Sequence, residues 1–521
     1  MRPITLFVAV FVAVCAQAQS TLPRLGFELT GGPIVDEPKV EAYLRLETAA
    51  GVDYEGWVGI EIRGRSSQLF AKKGYGFETR EADGENRDVS LLGMPAENDW
   101  VLHGPYADKT YLRNALAYTT ARAIGAPAPR SRFCEVFFDG AYQGIYLLVE
   151  KVKRDAARVP MDELSADGSA GDFMVEAAGY RHATGQPDPS GEGYTSVHAH
   201  YPEPGARVYP GFSYAYPKPR DLEPDQATAI RTWMEDLTAE SYAPPGSPTF
   251  ERFVAGVDWA SFTDYIIAQE FTKNVDAYLL STYYVRRGGA RGKLYAGPVW
   301  DFNFAFGNAD YLPGHNVGDL QVLTEGDTLV RVAPPLFSNL YRAPAFRQNL
   351  QRRWRELRAG PLADEAVAER IDSLLAEVLP HFARDTAVYG ISGRYTWPNT
   401  YVGEDFLADV VYLRDWVAAR LAYLDDLWGP AATAPPTAPS RSRLRANPTT
   451  VGGGWAIVTP DYADDYRAYR LYDARGVVVA SGRLAPGVRR HRLPAPAFTG
   501  LYVAELTRVD GGVDRLPLLC R

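Results

Sequence analysis

Phe271-Thr-Lys-Asn-Val-Asp276 opens a stretch that closes on Tyr295-Ala-Gly-Pro-Val-Trp-Asp301-Phe-Asn303-Phe-Ala-Phe-Gly307. The alternating apolar segment between them reads as a strand pair, with Asp276 and Asp301 at its two ends. Each carboxylate sits among aromatic and β-branched residues. An ionised carboxylate is costly there unless a positive group meets it. A metal ion or a bound cation meets that demand. A turn cap at Asp276 and an arginine partner for Asp301 would meet it as well.

Towards the N-terminus the pattern is mainly of strands. Val58-Gly-Ile-Glu-Ile62 runs into Arg63-Gly-Arg-Ser-Ser67, a Gly/Ser turn between arginines, and Lys72-Lys73-Gly-Tyr-Gly-Phe77 reads as the returning strand. Such a turn either holds phosphate oxygens on its amides or is a solvated basic turn. A helix begins near Leu112 and ends at Gly125 and Pro127. Asp139-Gly140 between two apolar runs predicts a hairpin, which delivers the charged cluster Glu150-Lys-Val-Lys-Arg154.

Towards the C-terminus the periodicity becomes helical, from Pro224 through Ile230, Trp233, Met234 and Leu237, from Asp258 to near Asn274, at 336–357, 363–384 and 404–428. Strands first and helices later predict an α+β domain with a helical C-terminal half. His198-x-His200 lacks a third ligand at a telling distance and reads as part of an insertion loop. Residues 429–443 are rich in Pro, Ala, Thr and Ser and form a linker. Short strands with turn signals over 444–521 predict a small β-sandwich.

The 521 residues carry a formal net charge of -9, which argues against a general affinity for nucleic acid. Arg2, an apolar run to Ala16 and the ending Ala16-Gln-Ala18 predict a signal peptide over residues 1–18, hence a secreted or cell-surface protein. No later stretch reaches a transmembrane length, so the mature chain is expected to have no such segment. Of three cysteines, Cys15 leaves with the signal. Cys134 and Cys520 make neither a disulfide framework nor a zinc site.

Several short pieces occur in one order: Arg63-Gly-Arg-Ser-Ser67, Lys72-Lys73-x-Tyr75, Trp100, Asp108-Lys109 with Leu112-Arg-Asn114, Gly144-x-Tyr146-x-x-x-Glu150-Lys151, Asn274-x-Asp276 and Trp300-Asp301-Phe302. Together they resemble the CotH kinase family of secreted atypical kinases, over 19–428. The resemblance implies an atypical protein-kinase-like domain with a β-rich N-terminal part. Asn447-Pro-Thr-Thr450, Leu471-Tyr-Asp-Ala-Arg-Gly476, His491-Arg-Leu493 and Gly500-Leu-Tyr-Val503 resemble the C-terminal sorting domain of the type IX secretion system. That implies passage through the periplasm and across the outer membrane, with the type IX machinery as partner. The ending Leu518-Leu-Cys-Arg521 departs from that domain's basic-apolar-basic close.

Phosphoryl transfer needs phosphates held in place, charge neutralised and the acceptor hydroxyl oriented. On this reading ATP is the cofactor, with Mg²⁺ or Mn²⁺. Arg63 and Ser66 cover the phosphates. Strand alternation puts only one of Lys72 and Lys73 on the pocket side; Lys73 is taken to reach them, and Glu150 orients the lysine by an ion pair. Tyr295 and Trp300 stack on adenine. Asp301 and Asn303 hold metal, and Asp276 is either a second metal carboxylate or the base for the acceptor hydroxyl. The family commonly has an acidic residue where Asn303 stands, and an asparagine near Ser281 or Thr282. Two functions therefore stay open. One is a kinase acting on protein Ser/Thr hydroxyls. The other is a catalytically weak or inactive surface or matrix protein used in binding or assembly. Nothing in the chain has the spacing of a nucleophile elbow or a zinc-protease helix.

Overall fold

A computed structural model describes residues 22–64, 66–182, 193–195, 208–323, 333–429 and seven shorter segments between 445 and 520. The expected signal peptide, most of the linker, His198 and His200 lie outside the described residues. The chain divides into two compact units, Met1–Pro430 and Ala431–Arg521.

The first unit begins with β1 (Arg24–Leu29), β2 (Val40–Thr48), β3 (Gly51–Arg63), β4 (Gly74–Arg80) and β5 (Asp99–His103). Helix α1 (Arg113–Ala123) precedes β6 (Ser131–Phe138) and β7 (Ala141–Glu150). These strands close into a barrel of order β1-β2-β3-β4-β5-β7-β6. Closure depends on β1, which pairs antiparallel with β2 and parallel with β6. The expected β-rich part is therefore a closed barrel rather than the sheet of a typical kinase N-lobe.

Alternation on the barrel wall builds two cores at once. Cys134, Val136, Tyr146 and Leu148 face the barrel interior with Phe27, Leu44, Ile60 and Trp100. Phe133, Ile145, Leu147 and Val149 face outward and join the helical core. The run Ile145–Val149 is apolar throughout because both of its faces are covered. Cys134 is a buried free thiol.

Next come β8 (Phe173–His182), β9 (Gly193–Thr195), β10 (Val208–Tyr216), α2 (Pro224–Ser241), α3 (Pro248–Gly256), α4 (Trp259–Thr272), β11 (Leu280–Arg287) and β12 (Lys293–Ala296). Their five strands form a second sheet, β12-β11-β8-β10-β9. The unit ends with α5 (Pro335–Arg342), α6 (Pro344–Arg358), α7 (Asp364–Val378), α8 (Phe382–Tyr389) and α9 (Phe406–Trp428). The helical stretch expected at 363–384 is thus two helices. Among the described residues, no helix is long and apolar enough to cross a membrane.

Ala431–Arg521 holds two antiparallel sheets. One joins β13 (Arg445–Thr449), β14 (Gly454–Val458) and β17 (Arg490–Pro494). The other joins β15 (Tyr466–Asp473), β16 (Val478–Arg483), β18 (Gly500–Arg508) and β19 (Val513–Cys520). Leu493 of the first shares one buried cluster with Leu471, Ala504 and Leu506 of the second.

Candidate active site

β11 and β12 pair antiparallel, with Tyr284 opposite Ala296, so Asp276 before β11 and Asp301 after β12 leave the same end of the hairpin. Both line a cleft of about 420 Å³, a volume in the range of small-molecule sites. Arg63, Ser66, Trp300 and Asn303 line it too. The cleft lies between the barrel, through Gly74, Val101, His103 and Val149, and the second sheet, through Glu176, Ser213 and Ser281.

The segment carrying Asp301 is held by four side chains, three of them on α1. Asp301 has φ +62°, a left-handed conformation that a side-chain-bearing residue adopts only when its surroundings hold it there. Its backbone N–H donates to the Tyr118 hydroxyl at 3.2 Å, and Asn274 Nδ2 donates to its carbonyl at 3.1 Å. One residue on, the Phe302 N–H donates to Asn114 Oδ1 at 2.6 Å. Arg113, paired with Asp108 at 2.6 Å, donates to the Ala305 carbonyl at 3.1 Å. The Asp276 turn is held by Asn274, whose Oδ1 accepts from the Asp276 N–H at 3.2 Å. Asn274 thus ties the two acidic segments together.

Burial pushes the Asp301 carboxyl up to about 7, and the Asp276 charge adds to that; Arg63 opposes it, and Glu176 adds a smaller push. Two carboxylates and the Asn303 amide form a donor set suited to a hard divalent cation. Among the described residues no group of three or more His, Cys, Asp or Glu converges as a metal cage.

The barrel side carries the opposite chemistry. Among the described residues, Arg63 Nη1 is buried and has no hydrogen-bond partner, although a guanidinium donor out of water normally finds one. The Arg63 guanidinium lies 5.3 Å from the Trp300 ring, which stacks on Tyr118 at 6.0 Å. Gly64, at φ +113°, lets the chain turn; a Cβ there would stand 2.0 Å from Ser67 Oγ. An anionic oxygen at the cleft wall would satisfy the orphan donor, so the residues fit a phosphate-bearing group.

The other expected site residues lie elsewhere. Lys73 Nζ donates to the Gln68 carbonyl at 2.5 Å, bracing the Ser66–Leu69 turn, and is absent from the cleft lining. Lys72 is sealed inside with Asp385, at 2.5 Å. Strand alternation did not decide between them because β4 starts only at Gly74. Glu150 meets no lysine; its carboxylate accepts from Arg130 Nη1 at 2.8 Å and the Arg130 N–H at 2.7 Å. Tyr295 packs with Met174, Tyr283 and Val285, and Arg287 lies over its ring at 5.1 Å. Glu176, Tyr118 and His103 line the cleft but were not singled out in the sequence. A lone carboxylate in Phe173-Met-Val-Glu-Ala-Ala178 was the available signal for Glu176.

A family model described as CotH kinase protein matches residues 60–424, the greater part of the chain. The chain belongs to the CotH kinase family. The match runs from β3 to α9 and takes in every described residue of the CotH cleft. Membership suggests a kinase-like function. No curated protein matches the chain.

Proposed function

We propose that this CotH-family chain is a secreted, metal-dependent kinase that transfers the γ-phosphate of ATP to Ser or Thr hydroxyls of a protein. The observation that carries the reading is one cleft with Asp276 and Asp301 on one wall and, on the other, Arg63 Nη1, which has no hydrogen-bond partner among the described residues. Asp301 and Asn303 would hold Mg²⁺ or Mn²⁺, which neutralises phosphate charge when bound. Arg63 binds phosphate oxygens, and Ser66 and Ser67 close that wall. Asp276 either shares the metal or accepts the acceptor hydroxyl's proton as its oxygen bonds to the γ-phosphorus and the bond to the β,γ-bridging oxygen breaks. On this reading the barrel takes the place of the β-rich part of a kinase-like fold. The N-terminal segment directs export, and Ala431–Arg521 addresses the type IX machinery.

A second reading, a kinase-like surface protein with little catalysis, is favoured by Asn303, which adds no negative charge to the metal site. Transfer of label from γ-labelled ATP to dephosphorylated casein separates the two. Metal-dependent phosphoserine or phosphothreonine, lost with EDTA, supports the kinase. Nucleotide binding without transfer supports the second reading.

A further inference from the structure

The nucleotide reading leaves the cleft without the lysine its sequence promised, because Lys72 is locked to Asp385 and Lys73 to the Gln68 carbonyl. Lys151 directly follows β7. Val149, two residues earlier, lines the cleft, and alternate residues of an extended chain share a face. Lys151 opens into a recess of about 180 Å³ whose lining includes Arg63, Gly64 and Val101, and these three also line the cleft. The recess and the cleft thus share a wall at Arg63.

The partners of Lys151 are loose. Its Nζ lies 3.4 Å from Asp99 Oδ1, and about a third of its side chain is exposed. Asp99 has a closer cation in Lys153, at 2.8 Å from its other oxygen. Asp99 therefore keeps an ion pair when Lys151 turns away. Burial pulls the Lys151 ammonium below its usual range; Asp99 opposes this, while Arg63, Lys218 and Lys39 add to it. Asp36, Glu37 and Glu61 line the outer part of the recess; Lys39 engages Glu61 at 3.5 Å, and Gln68 Nε2 donates to Asp36 at 3.0 Å.

We infer that Lys151 is the lysine that binds the phosphate chain of the nucleotide, exchanging its long contact with Asp99 for phosphate oxygens next to Arg63. This rests on the nucleotide reading of the cleft, and its test keeps the two apart. Two single variants of the full chain are predicted to affect MgATP binding differently. Lys151→Met should weaken binding at least tenfold, with Lys151→Arg recovering most of it. Asp99→Asn, which frees Lys151, should tighten binding or leave it unchanged. Thermal unfolding without nucleotide checks that each variant folds, and the Arg and Asn variants keep the test informative if Lys151→Met does not fold. Should wild type bind MgATP while Lys151→Met stays within twofold of it, the inference fails and the kinase reading stands. Parallel losses in Lys151→Met and Asp99→Asn would make the pair merely structural, and also overturn it. Absence of MgATP binding by wild type would overturn both.

Discussion

Lys72 Nζ and Asp385 Oδ2 lie 2.5 Å apart with side-chain exposures of 1% and 0%, joining the chain just before β4 to α8. The rings of Tyr111, Tyr146 and Tyr389 surround the ammonium at 5.1–5.3 Å. Asp385 also accepts from the Tyr111 hydroxyl at 3.0 Å and the Ile145 N–H at 2.6 Å. Gly144 makes room for the pair, since a Cβ there would stand 2.3 Å from Asp385 Oδ2. Removing one partner strands a buried charge. Asp385→Ala is therefore expected to destabilise the protein by about 3–5 kcal/mol. Denaturant unfolding of the full chain checks this; a loss below about 1 kcal/mol would mean that the pair does not bind barrel to helices.

Tyr118→Phe tests how Asp301 is held. The variant keeps the ring stacked on Trp300 but removes the hydroxyl that accepts from the Asp301 N–H. Stability should fall by only about 1 kcal/mol, the scale of one hydrogen bond. Phosphotransfer should fall further, roughly tenfold, because misplacement of a reacting group costs more in rate than in stability. Equal small effects on both would assign Tyr118 to packing alone.

His103 sets a pH dependence. Burial pulls its imidazole down to about 4; Asp108 opposes this, and Lys72 and Arg63 add to it. At neutral pH it is uncharged whether the chain is folded or unfolded. As pH falls below about 6.5, the unfolded chain takes up a proton that the folded chain refuses, so stability drops until about pH 4 and this contribution then levels off. The loss is on the order of 1–3 kcal/mol. His103→Asn should flatten that part of the stability–pH curve. An unchanged slope would show that other groups set it.

What could be read in the sequence followed from local chemistry. Asp276 and Asp301 stood out because carboxylates are rare among such apolar neighbours, and the alternating run between them marked a strand pair with one at each end; the antiparallel pairing brings those two ends together. Arg63 and Ser66 were marked by a turn whose glycine the backbone requires at φ +113°. Long-range pairings left no such mark. The parallel contact of β1 with β6 that closes the barrel joins residues about a hundred positions apart. Glu150 found Arg130 twenty residues earlier, and Lys72 found Asp385 on α8, where composition gave no hint of a partner. Glu176 reaches the cleft because β8 pairs with β11 at Tyr283, a register that the sequence leaves open.

The central claim is that Asp301 and Arg63 form the two walls of one metal–nucleotide site. Calorimetric titration of ATP into the full chain, with and without Mg²⁺, tests it most directly. The account predicts saturable, Mg²⁺-dependent binding by wild type, weakened at least tenfold in Asp301→Asn and in Arg63→Ala. Wild-type affinity retained in both variants, or no Mg²⁺-dependent binding by wild type, would contradict it.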